Sequence, residues 1–344
     1  LSVASVAVSR LRAGTGILAE RAGVGAALGL LGAAAAALTL ALYAPLATTV
    51  IGLVAFGVAH NFFELRYVLG RFDRVLAGTL LRLLLVGITA IALLRLANVG
   101  PAGLRGEILV GYALLAIVLV RALTRQRVFA AVGLVLVGGA TVVSLRYAPY
   151  HFVVLAHLHN IVPLVFLWEW ARAALPVGRE RTTFQVVQVL WVIAIPAAVL
   201  VGAFDPVLGE VARSVPGFTV NPDALTAAYT PPVWQSGIGP LRFLTAFAFL
   251  QTMHYVVWCW FLPRHAPSAV TQFERRAPLG PVVRGRRFVL VAAIGAAFFG
   301  VLFVSDYATG RGLYGAVASY HAYLEFPVLL ALVLQRGTTW SDPT

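Results

Sequence analysis

Along most of the chain, apolar residues run in continuous stretches of about twenty, with no alternation and few polar interruptions. A bilayer core of about 30 Å needs roughly 20 such residues per helix. Ten segments qualify, at approximately 23–43, 45–67, 75–97, 105–121, 127–146, 148–172, 184–203, 239–262, 288–306 and 312–335. Unbroken runs favour helices over a barrel, because each backbone group in lipid must find its partner internally. The predicted fold is an all-α polytopic transmembrane bundle in a single integral membrane domain covering 1–344.

Composition supports that pattern. Of the 344 residues, 60% are hydrophobic and 11% charged. A soluble protein carries about 25% charged residues, so a water-facing globule is excluded. A single cysteine, Cys259, excludes an intrachain disulfide.

The net charge of +13 comes with 26 basic residues, all arginine. Their placement argues for topology and against nucleic acid. With the N-terminus inside, 19 arginines fall on cytoplasmic segments and 6 opposite, leaving Arg82 within a span. The positive-inside rule then puts both termini in the cytoplasm, and the Ala/Gly/Val/Leu richness suggests a bacterial inner membrane. Two long connections stand out. Residues 204–238, on the outer side, are either a lid or a plain surface connection. Residues 263–287, on the inner side, are basic and suited to anionic lipid.

Polar side chains inside the spans carry the candidate chemistry. A charge at the bilayer centre costs about 2.5–3.5 kcal/mol on insertion scales. Here the costly residues sit on four spans running in one direction: His60 and Glu64 (HNFFE), His157 and His159 (HLHN), His254 (QTMH), and His321 and Glu325 (HAYLE). In both His-x-x-x-Glu pairs the i,i+4 spacing puts the two side chains on one helix face. His157 and His159, about 200° apart on a regular helix, do not both face one centre. The string from His159, HNIVPLVFL, matches HYVVWCWFL from His254 and selects His159, with His157 kept as a candidate. Asn61, Asn160, Gln251, Tyr320 and Tyr323 are candidates for orienting the ligands.

For each residue alone, a bond to a neighbouring helix is the simpler account, worth about 0.6 kcal/mol on average. Glu64 pairing with Arg82 is one such account. Glu169 reads as an interfacial residue near Arg172, and Tyr255, Trp258 and Trp260 as packing or lipid-facing rings. Coincidence on four parallel helices is what these accounts leave out. Imidazoles with carboxylates suit a transition metal, with iron favoured, as one or two ions.

Histidines buried in a polytopic bundle resemble, in style, the membrane non-haem iron oxygenases: desaturases, hydroxylases and the Brp/Blh carotene-cleaving enzymes. The resemblance rests on His60, His159, His254 and His321 alone. The HxxxH and HxxHH boxes of the desaturases are absent, and no family's catalytic residues are carried over. It implies a metal-dependent oxidoreductase acting on a hydrophobic, lipid-like or isoprenoid substrate, with an electron-donor protein as partner. Two other expectations use the same residues: a haem b electron carrier, and an ion- or proton-coupled transporter.

Overall fold

The computed structural model describes residues 3–124, 126–208, 214–276 and 284–335, with side chains from residue 23 to 334. Arg10, Arg12, Arg21, Arg125, Arg213 and Arg336 of the charge tally, and both termini, lie outside these described side chains.

Fifteen α-helices follow in chain order. They are α1 Val3–Tyr43, α2 Pro45–Arg71, α3 Gly78–Ala97, α4 Pro101–Ala122, α5 Arg127–Arg146, α6 Ala148–Ile161, α7 Pro163–Ala174 and α8 Arg179–Val189. The remainder are α9 Ile195–Leu200, α10 Pro222–Tyr229, α11 Gly239–Tyr255, α12 Leu262–His265, α13 Pro267–Arg276, α14 Gly285–Ser305 and α15 Tyr307–Gln335. No strand occurs among the described residues, so the all-α expectation holds there.

Among the described residues, nine helical segments are long and apolar enough to cross a membrane, the mark of an integral membrane protein. They match nine of the ten predicted spans. In the tenth, 239–262, the α-helix of α11 stops after 17 residues and continues as a π-helical stretch, Val256–Phe261. A similar π stretch, Leu190–Ala194, joins α8 to α9. Pro163 divides span 148–172 into α6 and α7, because proline supplies no amide hydrogen to the helix ladder.

Packing follows the small residues. Ala26, Leu30, Ala34, Ala37 and Ala41 form the buried stripe of α1; small side chains let helix backbones approach closely where lipid removes the hydrophobic drive. At Gly70 of α2, an added Cβ would sit 2.0 Å from the carbonyl oxygen of Ala269, so glycine alone admits α13 there. Trp191, Trp258, Phe166, Phe184 and Phe261 fill the main core with no exposed surface. By contrast α5 buries only Ser144, and Val128, Phe129 and Val135 stand exposed, as expected of a helix whose solvent is lipid.

The described part of the 204–238 connection from residue 214 onward carries its own packing. Val215 and Leu225 are buried with Leu46, Val50, Leu244, Phe303 and Tyr307 in a second core cluster. Asn221 caps α10 by accepting the Ala224 amide at 3.0 Å. This segment therefore packs onto the ends of α2, α11, α14 and α15.

Candidate metal centre

α2 carries His60 and Glu64 on one buried face, at 2% and 1% exposure. α15 presents His321 and Glu325 in the same way, at 2% and 0%. α6 brings His159 one turn before the proline break. α11 brings His254, fully buried, directly before the π stretch. π insertions inside α-helices often accompany functional sites, since the extra residue re-aims a side chain.

These four imidazoles converge. Nε2 of His60 lies 3.1 Å from Nε2 of His321, which lies 3.2 Å from Nε2 of His159. The His254 ring centre is 4.5 Å from that of His159 and 5.1 Å from that of His60. One nitrogen from each of the four lies within 4.8 Å of the others. A second group, Glu64, His254 and Glu325, meets the same limit.

Tautomers sharpen the geometry. His60 Nδ1 donates to the Phe56 carbonyl at 3.1 Å. His159 Nδ1 donates to Glu325 Oε2 at 2.6 Å. Each Nε2 is then a bare lone pair. His321 Nε2 has one proton at most and two such lone pairs facing it. A cation held between the rings would relieve the conflict. With metal–nitrogen bonds of about 2.0–2.1 Å, ligand nitrogens stand about 2.9 Å apart at right angles and about 3.3 Å apart at tetrahedral angles. The two separations seen, 3.1 and 3.2 Å, fall in that range, which is also the range of an N–H···N hydrogen bond.

Several buried polar atoms nearby have no hydrogen-bond partner among the described residues: both oxygens of Glu64, both ring nitrogens of His254, His321 Nδ1 and Glu325 Oε1. Glu64 Oε2 stands 3.6 Å from His254 Nε2, beyond a hydrogen bond. Buried polar groups are normally satisfied, so this concentration of orphans marks a place where something polar or charged is expected to sit.

The remaining sequence candidates sort clearly. His157 is not brought into the cluster: its Nε2 meets the Tyr229 carbonyl at 2.9 Å, toward α10. Gln251 donates to the Tyr255 hydroxyl at 2.7 Å, and the Tyr255 ring packs 4.6 Å from His60, so Gln251 bonds a neighbour of the cluster and not a cluster histidine. Asn61 is buried close to Glu64 on α2, with both side-chain atoms unpartnered. Asn160 turns back to the Ala156 carbonyl. Tyr320 pairs with Thr89, and Tyr323 donates to Glu107 at 2.6 Å, so neither tyrosine bonds a cluster histidine.

One further expectation is corrected. Arg82 is exposed and forms no ion pair with Glu64 among the described residues. Glu169 pairs with Arg71 of α2. Arg66 is buried, its guanidinium 4.3 Å over the Phe288 ring. Tyr255 and Trp258 pack in the core and Trp260 is exposed, in keeping with the packing or lipid-facing reading of the stripe. The sequence reading missed one network, in which Arg95 meets both oxygens of Glu107 and the Gly315 carbonyl. Glu107 interrupts the apolar run of α4, which was the available signal.

No protein family, curated protein or solved structure matches this chain. What can be argued about its chemistry rests on the cluster.

Proposed function

We propose that the protein is a metal-dependent membrane oxidoreductase of the bacterial inner membrane. In this reading it has ten spans and cytoplasmic termini, and it acts on a lipid-like or isoprenoid substrate with electrons from a donor protein. His60, His159, His254 and His321 hold a transition metal, with iron favoured, and Glu64 and Glu325 complete or support the site. The observation that carries the reading is the 3.1 and 3.2 Å spacing of three Nε2 atoms buried in an apolar bundle. Imidazole with carboxylate suits iron, which would supply oxygen activation and electron transfer. The chain's own residues orient that site: Phe56 and Glu325 fix two imidazole tautomers, and the surrounding Trp258, Tyr255 and Leu324 exclude water. Glu64, Glu325 and His254 offer a second, carboxylate-rich set of donors, which favours a dinuclear arrangement.

The same spacing disfavours haem b. Axial nitrogens on either side of a haem iron stand about 4 Å apart with a porphyrin between them, whereas these nitrogens are closer than that. A proton or ion path is the second reading, favoured by the unpartnered oxygens of Glu64.

Elemental analysis and an absorption spectrum of the purified protein test the proposal. The expected result is stoichiometric transition metal, no Soret band, and loss of metal in His254→Ala and His321→Ala. A metal-free protein that drives ion flux in proteoliposomes would support the transport reading instead.

A further inference from the structure

Away from the histidine cluster, a cavity of about 520 Å3 opens where α3 ends, α4 begins and α15 begins. Its lining mixes charge with apolar surface: Arg95, Asn98, Glu107 and Arg311 against Leu94 and Leu104. Glu107 is 2% exposed and is spent on Arg95 and Tyr323. Arg311 has no carboxylate partner among the described residues; its guanidinium stands 5.9 Å from the centre of the Tyr229 ring. Two guanidinium groups and one carboxylate leave the cavity with one uncompensated positive charge.

Position selects the ligand. The cavity lies at helix ends, beside Val99, Leu96 and Leu104, which are 52%, 51% and 44% exposed. An ionic group at a helix end with apolar flanks leading away matches a lipid, whose head is charged and whose chains are not. A guanidinium forks onto two phosphate oxygens in one plane, with more geometric specificity than a point charge. Asn98 adds an amide to the lining of the same cavity.

We propose that this cavity binds the anionic phosphate headgroup of a membrane lipid, with Arg311 as the recognising residue. The site is independent of what the histidine cluster holds. Its occupant spans the junction of α3, α4 and α15, and its acyl chains lie along the exposed leucines and valine of that edge.

Native mass spectrometry of the full chain, delipidated in neutral detergent, tests this. Phosphatidylglycerol and zwitterionic phosphatidylcholine are titrated in parallel. The expected result is one retained phosphatidylglycerol, bound about tenfold or more tightly than phosphatidylcholine, as befits a charge-assisted contact. That preference is lost in Arg311→Gln, partly kept in Arg311→Lys, and untouched in Arg82→Gln, an exposed arginine on α3. Equal retention of the two lipids by the wild-type protein overturns the proposal, even if Arg311→Gln fails to fold. So does an Arg82→Gln loss as large as that of Arg311→Gln. Displacement of the lipid by millimolar inorganic phosphate would show a small-anion site and also overturn it.

Discussion

Glu325 Oε2 lies 2.6 Å from Nδ1 of His159, joining α15 to α6 across 166 positions of sequence. A carboxylate accepts, so the bond puts the ring proton on Nδ1 and turns Nε2 toward the other histidines. Carboxylate support of this kind fixes ligand orientation and raises basicity. Glu325→Gln is expected to weaken metal retention about 10- to 100-fold, while His159→Ala removes it. Competition against a graded series of chelators measures both. Equal retention by Glu325→Gln and the wild-type protein would show that this bond does not support a ligand.

The two histidines of HLHN provide an internal control. His159 joins the cluster and His157 meets the Tyr229 carbonyl. His157→Ala should keep the full metal content, and His60→Ala should lose it. Equal metal loss in the two variants, measured on monodisperse protein, would remove the distinction on which the site assignment rests.

Tyr229 stacks on Phe247 with ring centres 3.5 Å apart and planes 15° from parallel. It also provides the carbonyl that His157 meets. Aromatic pairs contribute about 0.5–1.5 kcal/mol beyond their buried area. Tyr229→Ala should therefore loosen the 214–230 cap locally, with faster amide exchange there and little change in α3 or α4. Uniformly faster exchange across the bundle would argue against a separable cap.

Glu107 accepts from Arg95 and from Tyr323, at 2.5 and 2.6 Å for the shortest contacts. Glu107→Gln leaves Arg95 inside the bundle without its counter-charge. Breaking a buried pair costs about 3–5 kcal/mol; with the Arg95 side chain 28% exposed, about 2–4 kcal/mol is expected after allowing for solvent screening. Replacing both, as Arg95→Met with Glu107→Leu, should cost less than the single change, since no charge is stranded. Thermal unfolding in one detergent compares the two.

Much of the site was legible from cost alone. His60, Glu64, His254, His321 and Glu325 were conspicuous because ionisable groups within apolar runs are expensive, and their i,i+4 spacings assigned them faces. The choice between His157 and His159 rested on a short string match, and the two rings in fact go to different partners. Tyr320 and Tyr323 looked like ligand supports by proximity in sequence, yet each turns to α3 or α4.

Local sequence therefore determined that the chain is helical, apolar on most faces and burdened with a few costly polar groups, because run length and hydropathy are properties of consecutive residues. Convergence was decided by tertiary packing. The azimuth and tilt of α2, α6, α11 and α15, the π stretch after His254 and the break at Pro163 determine where each ring points. A helix turns about 100° per residue, so a small rotation sends an imidazole to a shared centre or to a neighbour's carbonyl, and only the packed bundle selects between them.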